Sequence, residues 1–161
     1  MKKGKTSKSW LEKMQQPAAP RVVEVPARWA GKMGDGRMLI PTPLLVAAAI
    51  RKIHKGKLAT VNSLRDYLAG QQGADMTCPL TTGIFMNIAA HAAEEERELG
   101  RRRITPWWRV LKEGGVLNPK FPGGIAKQRS LLQAEGFRIL KGRAREQWLV
   151  EEYQQKMEAF D

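Results

Sequence analysis

The sequence predicts a mostly α-helical protein with a small β-hairpin near its C-terminus, built around a helix-turn-helix and preceded by an N-terminal extension. Apolar residues recur at helical spacing in four segments, residues 43–53, 60–69, 80–93 and 125–135. The second and third segments are joined by a short turn that contains glycine, which gives them helix-turn-helix proportions. The hairpin is predicted from two short apolar runs around Gly142, residues 137–140 and 147–150.

The composition points to a polyanionic partner. The chain of 161 residues supports one compact domain with a loose arm, and its formal net charge is +12. Nucleic acid and an anionic membrane are the two obvious partners, but the charge is spread over several segments, which disfavours a membrane surface. No segment approaches the roughly 20 apolar residues of a membrane span. No apolar run with a cleavage site follows the basic N-terminus, so no secretory signal is predicted.

Cysteine and histidine usage argues against a disulfide-stabilised protein and against a zinc-binding one. Cys78 is the only cysteine and cannot form an intramolecular disulfide. A zinc site is not expected from Cys78, His54 and His91 alone. A reducing cytoplasmic location fits best, with no cofactor and no metal.

The N-terminal third carries no group of residues that suggests chemistry. It is expected to contain a mobile basic tail, a short helix and a short strand, at residues 1–8, 9–16 and 21–26. Pro17 ends the helix because proline lacks the amide hydrogen that a helix interior needs. Gly31, Gly34 and Gly36 indicate loops. Residues 1–41 are therefore interpreted as an extension that packs on or flanks the main domain.

The main domain is predicted over residues 42–150, and its helices have recognisable starts. Thr42 is expected to cap the first helix through its side-chain oxygen. The second helix follows Thr60, where Ser63 and Asp66 offer a capping pair. Both helices therefore begin at residues whose side chains satisfy free backbone amides.

The third helix is predicted to start near Thr81 or Thr82 and to end at Gly100. Together with the second helix it forms the candidate helix-turn-helix. Most helix pairs of this spacing are ordinary core packing, and the positive charge favours DNA only modestly.

The most informative part of the chain is residues 101–136. It contains Pro-Trp-Trp-Arg-Val at residues 106–110, two Gly-Gly loops and an amphipathic helix that Gly136 caps. Beyond the hairpin, residues 151–161 are predicted as a C-terminal helix.

These motifs resemble those of the methylated-DNA–protein-cysteine methyltransferases and of their alkyltransferase-like relatives. The family's Pro-Cys-His-Arg-Val aligns with residues 106–110, and its Gly-x-Val-x-Thr resembles Gly-Lys-Leu-Ala-Thr at residues 56–60. Its Gly-Gly-Leu and Leu-Leu-x-x-Glu-Gly segments match residues 123–125 and 131–136. The resemblance covers residues 42–139 in order and spacing. It implies a winged-helix-like domain that binds the minor groove through its helix-turn-helix and flips an alkylated guanine into a pocket.

The departures from the family motif imply loss of its chemistry. Trp107 stands at the position of the nucleophilic cysteine and Trp108 at that of the histidine, and an indole neither accepts the alkyl group nor acts as a base. Glu135 matches the glutamate that orients the histidine and is expected to have nothing to orient. Cys78 lies outside the motif and is interpreted as an ordinary small residue. The resemblance therefore implies a protein that is not an enzyme.

Tryptophan at the cysteine position is what the alkyltransferase-like proteins carry. They resemble damage sensors that bind alkylated bases without repair and pass the site to nucleotide excision repair. The lesion pocket that this resemblance implies is formed by Trp107, Trp108, Arg109, Gly123 and Gly124. Trp107 would supply an aromatic wall for the extruded base, although one of the two adjacent indoles is expected to be a core residue.

The DNA-binding residues implied by the resemblance are Thr60, Val61, Thr81, Thr82, Arg101, Arg102 and Arg103. Val61 stands where the family has a tyrosine that rotates a phosphate, and Thr82 stands where it has an arginine that fills the gap left by the flipped base. The three consecutive arginines and Arg109 either hold phosphates or form a solvated positive face.

Two other functions stay open at this point. The first is a winged-helix DNA-binding module without lesion recognition, acting in transcription or nucleoid organisation, for which a palindromic site and dimerisation would be evidence. The second is an unrelated enzyme, which is disfavoured because the chain offers no nucleophile or metal set. The expected partner is double-stranded DNA with an alkylated guanine, together with nucleotide excision repair proteins, and the expected state is a monomer without membrane contact.

Overall fold

The structure, a computed structural model, describes residues 8–160, so the predicted tail lies almost wholly outside the described residues. The helices are α1 (Trp10–Met14), α2 (Ala27–Met33), α3 (Pro43–Arg51), α4 (Val61–Gln71), α5 (Pro79–Glu98) and α6 (Gly124–Ala134). The strands are short: β1 (Arg21–Glu24), β2 (Arg37–Ile40), β3 (Ala59–Thr60), β4 (Met76–Thr77), β5 (Val110–Leu111), β6 (Ile139–Lys141) and β7 (Trp148–Val150). The fold is thus mostly α-helical with a small hairpin, as predicted.

Local side-chain chemistry fixes the starts of the central helices. The Thr42 hydroxyl accepts a hydrogen bond from the Leu45 amide at 3.2 Å, which confirms the predicted cap of α3. At α4, Thr60 Oγ1 accepts from the Ser63 amide at 3.2 Å and Ser63 Oγ accepts from the Thr60 amide at 2.9 Å. This reciprocal capping box replaces the predicted Ser63–Asp66 pair, which is wrong.

The extension contains one helix that the sequence did not predict. Helix α2 passes through Gly31, where the sequence predicts a loop. Pro26 precedes its first turn, and Gly34 ends it with a φ of +83°, a conformation that glycine adopts without strain. Its other residues include good helix formers, so a single internal glycine is tolerated.

Strand pairing joins the extension to the helix-turn-helix. Strand β1 runs antiparallel to β2, and β2 runs parallel to β4, which lies between α4 and α5. Met14 and Leu39 are buried in the same core as α3, α4 and α5. The extension therefore packs on the main domain, as expected.

The C-terminal part has the predicted hairpin but lacks the predicted helix. Strands β6 and β7 pair antiparallel around the turn that contains Gly142. Residues 151–160 form only a short 3-10 turn, Tyr153–Lys156, followed by extended chain beside Leu58. The helix prediction is wrong because this segment forms backbone hydrogen bonds with Leu58 instead of within a helix. The Leu58 amide donates to Lys156 O at 2.8 Å, and the Glu158 amide donates to Leu58 O at 2.7 Å.

Two hydrophobic cores meet at residues 106–110. The larger lies among α1, α3, α4 and α5, and the smaller lies under α6 and the hairpin. Trp108 packs against both cores. None of the helices within residues 8–160 combines the length and the apolar character needed to cross a membrane.

Candidate nucleic-acid interface

The Trp107 indole points into the protein. Trp107 lies in a short 3-10 turn, and its side chain is 0% exposed. Its Nε1 donates to Glu94 Oε1 at 3.0 Å, and its ring meets the rings of Phe121 and Trp108 edge-on, with centroids 5.4 and 5.9 Å away. The prediction that Trp107 forms a pocket wall is therefore corrected for this conformation, because an enclosed ring cannot stack on a base.

Glu94 holds this turn against two helices. Its carboxylate accepts from Trp107, from Arg97 Nε at 3.1 Å and from Lys127 Nζ at 2.7 Å. Burial raises the pKa of Glu94, but the hydrogen bonds from Lys127, Arg97 and Trp107 outweigh burial, so its pKa is lowered. Glu94 is therefore an ionised acceptor that joins α5, α6 and the tryptophan turn.

The second indole is oriented by a carboxylate. Trp108 Nε1 donates to Glu135 Oε2 at 3.0 Å, so the expectation that Glu135 has nothing to orient is wrong. Arg109 Nε donates to Glu135 Oε1 at 2.7 Å, and Arg109 Nη1 donates to the Ile53 carbonyl at 2.7 Å. The Arg109 guanidinium is mostly buried and hydrogen-bonded to these acceptors. The predicted roles of Arg109 in the pocket and at phosphates are therefore wrong, and its role in this structure is to hold the turn in place.

A buried amide supports the loop that follows. Gln128 is 0% exposed, and its Nε2 donates to the carbonyls of Trp108 at 3.2 Å and Val110 at 3.0 Å. Its Oε1 accepts from the Asn118 amide at 2.8 Å. Gln128 therefore fixes the start of loop 118–121 relative to the tryptophan turn.

A recess of about 500 Å³ lies between the first half of α5 and loop 118–121. Leu80 and Ile84 border it and are 62% and 50% exposed, one helical turn apart on α5. Asn87 also lines it, and its buried Oδ1 has no hydrogen-bond partner among the described residues. The remaining lining residues are Val61, Pro79, Gly83, Met86, Lys112, Asn118, Pro119, Lys120 and Phe121.

The predicted DNA-binding residues of the helix-turn-helix divide into buried and accessible groups. Thr60 and Thr82 are 5% and 0% exposed, and the Thr82 hydroxyl donates to the Cys78 carbonyl. The prediction that these two side chains contact DNA is therefore wrong for this structure. Val61 is half-buried and lines the recess. Thr81 is half-buried, and its buried hydroxyl has no partner among the described residues.

The two glycines of the predicted pocket form the start of α6. Gly123 and Gly124 have φ values of +72° and +65°. A Cβ at Gly123 would lie 2.6 Å from the Lys127 side chain, so a larger residue there would push that side chain aside. Neither glycine borders the recess, which loop 118–121 closes in their place.

The arginine run lies at a second, basic recess. Arg102 and Arg103 line it together with Arg51, Trp108 and Arg109. Arg101 is exposed and lies 3.8 Å from Glu96. All three arginines of the run are exposed, and their role at phosphates stays a prediction.

The elements that surround the first recess define a class of fold: a winged-helix-like helix-turn-helix. Among solved structures, the chain is similar to the crystal structure of S. pombe Atl1 in complex with damaged DNA containing O6-carboxymethylguanine. The TM-score is 0.51 and the identity 19%, and the match covers 73% of this chain and 94% of the other. No protein-family model and no curated protein sequence matches the chain.

Proposed function

We propose that this protein binds double-stranded DNA and senses an alkylated guanine without repairing it, in the manner of an alkyltransferase-like protein. The observation that carries the proposal is the recess beside α5, whose rim presents Leu80 and Ile84 to solvent. Helix α5, the second helix of the helix-turn-helix, enters the minor groove, the damaged base is flipped into the recess, and a monomer marks the site for nucleotide excision repair.

The lining of the recess suits a flipped purine. Phe121 and Met86 line the recess with 4% and 2% of their surface exposed, and Val61 is half-buried; these apolar linings favour a base made less polar by an alkyl group. The Asn87 side chain lines the recess, and its Oδ1, which is buried and has no partner among residues 8–160, would become an acceptor for the exocyclic amino group of guanine once the amide turns toward the base. Phe121 thus takes the wall position that the sequence assigns to Trp107.

Two lysines support binding of the backbone at the same place. Lys112 and Lys120 line the recess and have no carboxylate partner among residues 8–160. Their ammonium groups are therefore available to the phosphates that flank a flipped nucleotide.

The recess supports sensing rather than alkyl transfer. Its lining contains no cysteine, histidine or carboxylate, so it has no thiolate acceptor and no general base. The only cysteine of the sequence, Cys78, is 2% exposed and is the residue directly before α5. We therefore propose that the protein is not an enzyme.

The test compares two duplexes that differ only in alkylation of one guanine at its exocyclic oxygen. Wild-type protein should prefer the alkylated duplex, and Asn87→Ala should lose about 1 kcal/mol of that preference, roughly fivefold in Kd, because one hydrogen bond is lost. Thr81→Ala is the matched control, since it also removes a buried polar atom without a partner but does not line the recess.

A wild-type protein that binds both duplexes equally would contradict the sensing role. The second candidate would then hold: a winged-helix DNA-binding module without lesion recognition, acting in transcription or nucleoid organisation. The enclosure of Trp107 favours this alternative, because the aromatic residue aligned with the family's reactive position is not presented to a base.

A further inference from the structure

Helix α2 has an unusual composition for a helix that covers a core. None of its residues is buried, and its sequence, Ala-Arg-Trp-Ala-Gly-Lys-Met, contains two cations and no acid. A helix this short is not stable in water by itself, so its neighbours must hold it in place. Packing of the main core therefore does not explain the position of α2.

Backbone pairing places α2 beside the start of α5. Helix α2 connects β1 to β2, and β2 pairs in parallel with β4, the strand that leads into α5. The Cys78 amide donates to the Leu39 carbonyl at 2.9 Å immediately before α5 begins. The Arg37 amide donates to Asp75 Oδ2 at 2.8 Å, which fixes the end of the α2 connection.

Side chains confirm that the two helices adjoin. Trp29, Lys32 and Met33 line a hollow of about 240 Å³ together with Pro79 and Leu80, the first residues of α5. Leu80 also borders the larger recess on its other side. Lys32 therefore lies on the same stretch of surface as the apolar residues of α5 that are proposed to enter DNA.

We propose that α2 is a second DNA-contacting element, whose Arg28 and Lys32 bind phosphates next to the groove that receives α5. The two cations are exposed and four residues apart, which places them on one face of the helix. Neither forms an ion pair within residues 8–160, so neither charge is neutralised there. This proposal rests on the proposed function, because it assumes that α5 meets DNA.

The test measures duplex affinity as a function of salt for the full chain. Each phosphate contact contributes about −0.9 to the slope of log K against log salt on duplex DNA. Arg28→Gln combined with Lys32→Gln should therefore reduce the steepness of the slope by about 1.8. The double variant should fold normally, because α2 buries no side chain.

Lys13→Gln is the matched control on the same extension. Lys13 belongs to α1, whose Trp10 amide donates to Glu95 Oε1 at 2.7 Å, about 20 Å along α5 from Leu80. The control should keep the wild-type slope.

The outcomes separate this proposal from the proposed function. A wild-type slope in the double variant, with duplex binding intact, overturns the role of α2 and leaves DNA binding by α5 in place. An equal loss of slope in Lys13→Gln also overturns it. A wild-type protein that binds no duplex overturns both proposals.

Discussion

The Trp107 indole is part of the core. An indole is much larger than a thiol, and its N–H must find an acceptor when it is buried. Glu94 supplies that acceptor at 3.0 Å, and the ring edges of Phe121 and Trp108 complete the packing. Trp107 thus stabilises the loop that forms the recess without lining the recess itself.

Truncation of the Trp107 ring should mainly lower the stability of the fold. We expect Trp107→Ala to lower the free energy of unfolding by about 3–5 kcal/mol, because it leaves a cavity and removes a hydrogen bond to Glu94. Trp107→Phe should cost less, since it keeps most of the ring volume. Urea denaturation followed by circular dichroism measures both effects.

Trp29→Ala is the control for loss of an indole. Trp29 is only half-buried on α2, so its removal should change the free energy of unfolding by about 1 kcal/mol or less. Wild-type stability in Trp107→Ala would show that the ring is not a core residue.

Helix α5 has two ends with different environments. Its second half carries buried alanines, and Glu94 and Glu95 there anchor the tryptophan turn and α1. Its first half exposes Leu80 and Ile84. A long helix anchored at one end can present the other end rigidly to a groove.

The exposed apolar pair should act as a wedge between base steps. Apolar side chains that enter the minor groove unstack neighbouring bases, and burial of one such side chain is worth about 2 kcal/mol. Leu80→Ala and Ile84→Ala should each weaken binding to the alkylated duplex and reduce base extrusion. Fluorescence of a base analogue placed beside the lesion reports that extrusion.

Leu99 offers a matched control, because it is 67% exposed and directly follows the anchored end of α5. Leu99→Ala should leave duplex affinity and extrusion unchanged. If Leu80→Ala, Ile84→Ala and Leu99→Ala weaken binding equally, any exposed apolar side chain contributes to affinity, and the wedge does not exist.

Elements with strong local signals were predictable from the sequence. Helices α3, α4 and α6 and the hairpin lie where periodicity and end residues predict them. Helix α2 was missed because Gly31, Gly34 and Gly36 indicate loops, and strand pairing on both sides of the segment is not visible locally. Residues 151–160 have helical spacing, but pairing with Leu58 determines their structure.

The lining of the recess was not predictable from the motif residues. None of residues 106–110 lines it, because Trp107 faces Glu94, a buried acceptor on another helix, and loop 118–121 forms that side of the recess. Gln128 and Asn87 gave no signal in the sequence, because their roles depend on contacts between distant segments. Hydrogen bonds between distant segments therefore determine which way these side chains face, and residue types alone do not reveal it.

On the scale of the whole molecule, buried polar groups join the two cores. Glu94 links α5, α6 and the tryptophan turn, while Gln128 links α6 to the same turn and to loop 118–121. Both groups are almost fully enclosed, so the loss of one partner would leave a polar atom unsatisfied. The relative positions of the recess walls depend on these contacts.

This arrangement predicts acid sensitivity. The pKa of Glu94 is lowered in the folded protein, so the unfolded chain takes up that proton at a higher pH than the folded protein does. The stabilising contribution is full above the ordinary pKa of 4.5 and is lost as pH falls through the lower folded pKa. Thermal unfolding between pH 3 and pH 7 should show this loss in wild-type protein.

Glu94→Gln should lower stability at neutral pH and flatten the acid loss, because the charge that interacts with Arg97 and Lys127 is gone. Glu98→Gln, an exposed change on the same helix, should retain the wild-type profile. An unchanged acid profile in Glu94→Gln would assign the acid sensitivity to other carboxylates.

The row of aromatic rings has an optical consequence. Trp107 is shielded from water and packs edge-on against Phe121, which lines the recess. A base seated against Phe121 would alter the surroundings of this indole without touching it. The protein therefore carries an intrinsic fluorophore one ring behind its recess. Because the chain has four other tryptophans, the emission that Trp107→Phe removes from the wild-type signal is the label-free record of when the recess fills and empties.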